Sequence, residues 1–274
     1  MNELPACWTT PAGGHRTGAA LLALRLAGAL LLACGASWAG AQDAGQVTNP
    51  AQHPLGHEFF FTRGQYSSSV DNDPWGPRWA IDYPEADRHF LIALARLTGV
   101  DAHGADNAQP LGTAALRDFP FVYVVEAGAL QLSGDERAAL RKYLLAGGFM
   151  MVDDFWGTWA WDNLVAQLAQ VLPGYAIRDV PLDHPLFHSF YDIDELVQVP
   201  NVAQAASGRT HEYDGHVPHA RGIFDGDGRL MVLINWNTDL GDAWEWADDA
   251  DYPLHFSSYA YKLGINIVVY AMSY

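Results

Sequence analysis

The sequence predicts an α/β domain with a mostly parallel sheet and helices on both faces, and three observations carry that expectation. Residues 119–125 (FPFVYVV) are continuously apolar and β-branched or aromatic, as a strand covered on both faces requires. Residues 149–152 (FMMV) repeat the pattern. Between them a helical stretch starts at a capping box, Ser133-Gly134-Asp135-Glu136, and stops at Gly147-Gly148. Strand, helix and strand in that order form a βαβ unit with parallel strands.

The remaining elements follow along the chain. Residues 57–62 (HEFFFT) are a short apolar run that predicts a buried strand. A polar loop occupies 67–78. Over 83–98 the apolar residues Ala86, Phe90, Ala93, Leu94 and Leu97 recur at spacings of three and four, giving one helical face that Gly99 ends. Residues 162–172 predict another helix, closed by Pro173-Gly174. Residues 223–237 predict a β-hairpin turning at Asp225-Gly226-Asp227-Gly228, read as an insertion. The last segment, 257–270, suits a helix through Tyr259, Leu263 and Ile267, while 265–269 also suits a strand. Periodicity leaves both open.

The first 41 residues predict a removable export signal rather than part of the fold. Arg16 and Arg25 precede an apolar run over 26–34, and Ala39 and Ala41 stand in the −3 and −1 places before Gln42. The run is too short to cross a bilayer, which takes about 20 residues. The expected location is periplasmic or secreted. In the alternative, Leu31-Leu32-Ala33-Cys34 serves as a lipobox and the chain is lipid-anchored at Cys34. Residues 42–56 form a loose lead-in, and 57–274 a single domain.

Cys7 and Cys34 both lie in the signal, so the mature chain is cysteine-free. That excludes a disulfide, a thiolate metal site and a cysteine nucleophile. Cleavage removes two of the 15 basic and one of the 32 acidic side chains, leaving 13 and 31. So acidic a domain repels phosphate backbones, which excludes nucleic acid as a partner. It suits cations or neutral sugars. Eight of the ten tryptophans remain after cleavage.

The stretches FFFTRGQY (59–66), DYPEADRHF (82–90), LSGDERAALRKYLLAGGFMMVDDFWG (132–157), DHPLFHSFYDID (183–194) and LGINIVVYAM (263–272) resemble a bacterial family, domain of unknown function 4159. The resemblance implies a fold similar to class I glutamine amidotransferase-like domains, of flavodoxin type. Such enzymes carry a cysteine nucleophile on the turn after a central strand. Here that turn reads Asp153-Asp154-Phe155-Trp156-Gly157, so the glutaminase chemistry is not implied.

In parallel sheets ligands bind beyond the carboxyl ends of the strands. The candidate pocket on that rule comprises Arg63, Glu126, Asp153, Asp154, Trp156 and His184, with Trp159 just beyond. Paired carboxylates can hold a hard cation or share a proton, and aromatic faces beside them suit sugars. In the blander reading Asp153 or Asp154 caps the next helix, the tryptophans fill core, and His184 locks a loop before Pro185. His211, His216 and His219 are three imidazoles in one loop, at a spacing that fits no zinc pattern. Asn235, Asn237 and Asp239 either line the same edge or form an Asx turn, and Asp248, Asp249 and Asp251 read as solvated surface. The sequence carries no phosphate loop, no G-x-S-x-G and no H-E-x-x-H, and so implies no cofactor and assigns no metal. The expected function is a non-catalytic binding or scaffolding domain of the cell envelope, with an envelope protein or small neutral ligand as partner. The alternative is a carboxylate- or metal-dependent hydrolase acting on a sugar or small amide.

Overall fold

The computed structural model describes residues 56–69 and 76–273; the expected signal and most of the expected lead-in lie outside the described residues. Among the described residues seven strands form one sheet in the order β2-β1-β3-β4-β7-β6-β5. They are β1 (Arg63–Gln65), β2 (Ala108–Pro110), β3 (Phe121–Val124), β4 (Phe149–Val152), β5 (Ile177–Asp179), β6 (His219–Phe224) and β7 (Leu230–Trp236). The first five in spatial order run parallel, while β6 and β5 are antiparallel additions at one edge. From β1 the chain crosses outward to β2, then returns to β3 on the other side. The strand order therefore reverses between β1 and β3, the position at which parallel sheets open a crevice.

Among the described residues six helices accompany the sheet: α1 (Glu85–Leu97), α2 (Gly134–Leu145), α3 (Gly157–Val171), α4 (Val202–Ala206), α5 (Leu240–Glu245) and α6 (Leu254–Ser273). Alternate residues of the central strands face opposite cores. Phe121, Tyr123, Phe149 and Met151 pack with Phe90, Leu94, Trp244, Leu263 and Ile267 of α1, α5 and α6. Val122, Val124, Met150 and Val152 pack with Leu140, Leu144, Leu164 and Leu168 of α2 and α3. Both sheet faces are thus covered, which is why β3 and β4 contain only buried residues. None of the described helices is long and apolar enough to cross a membrane.

The capping box forms as expected: Ser133 Oγ accepts from Glu136 N at 3.2 Å, and Glu136 Oε2 accepts from Ser133 N at 2.7 Å. Three expectations shift, and one left open is resolved. The run at 57–62 is buried, but the strand falls just after it, at Arg63–Gln65. Phe59 pairs only through an isolated bridge to Ala102, while its ring packs on Phe121, since apolar runs report burial rather than pairing. The expected hairpin exists as β6 and β7, yet it is no insertion, because β7 pairs with β4 and completes the parallel core. Residues 254–273 are helix α6, a single apolar rod across one sheet face. Finally, α3 begins five residues before the expected 162. Its first amides are capped by distant groups: Gly157 N donates to Asn237 Oδ1 at 2.9 Å and Thr158 N to Asp214 Oδ1 at 3.0 Å. Asp153 and Asp154 do not cap it.

Candidate functional site

The carboxyl ends of β3, β4 and β7 lie side by side, and each continues into a turn carrying an acid: Glu126, Asp154 and Asp239. Backbone bonds run on past the strands into these turns. Asp153 N donates to Val124 O (3.0 Å), Glu126 N to Asp154 O (3.0 Å) and Asp154 N to Thr238 O (3.1 Å). Three loops are thereby locked into one rim. Tyr66 supports it from beneath, its hydroxyl shared between Val125 O at 2.9 Å and Glu126 O at 3.0 Å.

The rim is also where the backbone is strained. Among the described residues five without glycine's freedom have positive φ: Asp82 (61°), Glu126 (51°), Asp154 (49°), Tyr213 (46°) and Asn237 (63°). Each costs on the order of 1–2 kcal/mol and persists because surrounding contacts impose it. Four of them line a single cavity of about 1080 Å³, and the fifth, Asn237, braces its wall at Gly157. That volume lies at the upper end of small-molecule sites, roughly 300–1,000 Å³.

The cavity is walled by acids and aromatics. Asp82, Glu126, Asp154, Glu212, Asp214, Asp239, Asp242 and Glu245 contribute carboxyl groups, while Trp156, Trp159, Trp246 and Tyr213 contribute rings. Arg78 is the one basic side chain among the described lining residues, and its Nη1 meets Glu126 Oε1 at 2.9 Å. Trp159 is 73% exposed and presents its ring to solvent at the mouth. Trp156 is buried, with Nε1 3.4 Å from Asp154 Oδ1.

So many acids in one enclosure disfavour ionisation. Burial first, then Glu126 and Asp82, holds the Asp154 carboxyl well above the usual carboxylate range. Asp82 is raised by burial and by Asp242, against the pull of Arg63. Asp239 is raised by burial and by its neighbours Asp154 and Asp242. Burial likewise raises Asp242, Glu212 and Glu245. Asp82, Asp239 and Asp242 each place one oxygen within 4.8 Å of the other two. These oxygens are the described group that could hold a hard metal ion.

The structure brings three of the sequence-named candidates, Glu126, Asp154 and Trp156, into the cavity wall together with Trp159. The other three stand elsewhere. Asp153 points the opposite way, accepting from Tyr123 Oη at 2.9 Å and Leu240 N at 2.8 Å. Burial pushes it up to about 7, with those donors opposing. Arg63 is completely buried behind the rim in an ion pair with Asp87, and its Nη1 donates to Ile81 O at 3.1 Å. It also lies 4.7 Å from the Tyr123 ring centroid. Arg63 therefore anchors the segment that presents Asp82 rather than facing a ligand. His184 caps the short turn at Pro185–His188 through Leu186 N (3.2 Å), with its ring against Tyr270, far in function from the rim.

His211 and His216 lie edge to face at 4.3 Å, but His219 stacks on Trp236, so the histidines form no three-ligand group among the described residues. Asp248, Asp249 and Asp251 are exposed. Sequence reasoning missed Asp82, Asp242 and Arg78. A faint signal existed for Asp242: Asp239-x-x-Asp242 is a helix-start pattern, and Asp239 Oδ1 does accept from Asp242 N at 2.8 Å. Asp82 and Arg78 come from a loop that no periodicity addresses.

Sheet, rim and cavity define a parallel α/β domain with an acidic, tryptophan-walled crevice at its strand ends. The chain belongs to the family described as Domain of unknown function (DUF4159), whose sequence profile matches residues 61–272. Among curated proteins none matches it.

Proposed function

We propose that this is a binding domain for a small neutral polyhydroxylated ligand of the saccharide class, taken in the rim cavity. The observation that carries the reading is the pairing of ring faces with carboxyl groups on one wall. Trp159, Trp246 and Tyr213 offer surfaces for the apolar face of a sugar ring, and Glu126, Asp154 and Glu212 offer acceptors for its hydroxyls. Burial favours the protonated form of Asp154 and Glu212, in which a carboxyl can donate as well as accept. An anionic ligand is disfavoured by the lining carboxylate that hydrogen bonds from Thr158 hold below its ordinary range, Asp214. The backbone bonds across the rim supply preorganisation, which limits the ordering cost of binding.

Calorimetric titration with a panel of neutral oligosaccharides tests this. At least one is expected to bind with Kd below about 1 mM, and Trp159→Ala to weaken it at least tenfold with an unchanged Tm, since Trp159 is 73% exposed. No binding by any member, or an unaffected variant, contradicts the reading.

A hydrolase acting on the same ligand class is the second reading. It is favoured by one observation: Asp154, raised by burial, lies beside Glu126, which is paired with Arg78. Release of reducing ends by the wild type, lost in Glu126→Gln, would move the assignment from binding to catalysis. We extend the likeness to class I amidotransferase-like domains to position alone. The turn after β4 carries Asp154 at φ 49° where a nucleophile would stand in that fold. We further propose that residues 1–41 direct export and are removed. The mass of the processed protein is expected to correspond to a chain starting at Gln42, and a lipidated Cys34 or an intact start contradicts it.

A further inference from the structure

We propose that Asp82, Asp239 and Asp242 form a binding site for one hard divalent cation of the calcium or magnesium class. The three carboxylates come from two segments far apart in the chain, the loop before α1 and the N-cap and first turn of α5, and converge in the cavity wall. Their nearest oxygens lie within 4.8 Å of one another. An ion about 2.1–2.4 Å from each ligand spans oxygen pairs up to roughly twice that distance, so the spacing is that of a shared ion. The donor set is all oxygen, without imidazole or thiolate, and the open cavity leaves room for the waters such ions retain.

A second observation points to a missing partner. Asp82 Oδ2 is sealed from solvent and accepts no hydrogen bond. An acceptor placed so has lost its water and gained no donor, a state that native proteins rarely leave uncompensated. Nor does a protein cation bond to it: Arg63, directly behind, is bonded to Asp87 and Ile81 O. Asp239 and Asp242, 3% and 7% exposed, use one oxygen each on backbone amides, Asp242 N and Val202 N. Gly241 completes the arrangement. A Cβ there would stand 2.4 Å from Asp82 Oδ2, so any side chain at 241 would push the carboxylate off its position. Asp239 and Asp242 are buried and Asp82 part-buried, and once ionised the three would repel one another, a repulsion that a cation held among them would relieve.

The site is independent of the saccharide reading, and the test is run without saccharide so that either can fail alone. Purified mature protein is stripped with EDTA, dialysed, and titrated calorimetrically with CaCl₂ and, separately, MgCl₂. One ion per chain is expected, with Kd below about 1 mM for at least one metal. Tm is expected to rise by about 5–10 °C at a hundredfold excess over Kd. Asp82→Asn keeps the shape and tolerates the left-handed backbone, so it is expected to fold. In EDTA it should melt no lower than wild type, and it should bind at least tenfold more weakly. Asp248→Asn, on the exposed acidic run, is expected to bind as wild type. Absence of binding up to 10 times that 1 mM limit, or undiminished binding by Asp82→Asn, overturns the proposal. If Asp82→Asn misfolds, Gly241→Ala replaces it: loss of the Tm shift supports the site, and an unchanged shift contradicts it.

Discussion

Asp153 and Asp154 are adjacent in the chain and chemically alike, yet the structure gives them separate tasks. Asp154 turns into the cavity in left-handed backbone, while Asp153 ties β3 to the start of α5 through Tyr123 and Leu240. The sequence shows the pair and the strand that precedes it. It does not show which of two consecutive carboxylates faces outward, because that depends on a φ angle imposed by Thr238 O and Glu126 N from other strands. The buried role of Asp153 has a pH signature. Its folded carboxyl titrates near 7 against 3.8 for the free group. Between those values the unfolded chain has lost the proton and the folded one has not, so stability falls as pH rises, and the loss is complete above about 7. The Tyr123 hydroxyl moderates this by donating to the ionised form. Tyr123→Phe is therefore expected to cost about 1.5–3 kcal/mol at pH 8 but only about 0.5–1.5 at pH 5, as urea unfolding at the two pH values would show. A cost independent of pH would mean that Asp153 is ionised throughout.

At the scale of elements, local signals gave good account of what is locally determined. The capping box placed α2 and the apolar runs placed β3 and β4, since their cause lies within a few residues. The start of α3 was misplaced because its caps arrive from Asn237 and Asp214, far along the chain. Those caps also fix the cavity wall, since α3 begins immediately after Trp156 and carries Trp159 on its first turn. Asn237 serves twice, accepting from Gly157 N and donating to Val217 O at 2.7 Å, from a left-handed backbone. Asn237→Ala is expected to lose about 2–3 kcal/mol, combining the cap with the backbone term. Asn237→Gly should recover about 1 of these, because glycine accepts positive φ. Equal losses in thermal or chemical denaturation would show that the cap alone matters.

Across the whole molecule, the parallel sheet is what turns scattered acids into a site. Glu126, Asp154 and Trp156 were legible because each follows a recognisable strand, and the carboxyl-end rule needs nothing more. Asp82, Asp239 and Asp242 were not legible as a group, since their meeting depends on the reversal of strand order at β1 and β3 and on β7 joining the core. The charge imbalance, 32 acidic against 15 basic residues, was visible from the outset, but its concentration in one crevice was not. The most direct measurement is a saccharide titration of uniformly ¹⁵N-labelled protein, following the tryptophan indole resonances. The rim account predicts that the Trp159 and Trp246 signals move together and saturably, while that of Trp244, sealed in the core against Phe90, stays still. Shifts confined instead to the stacked pair Trp161 and Trp236, outside the cavity, would place the binding surface elsewhere and contradict it.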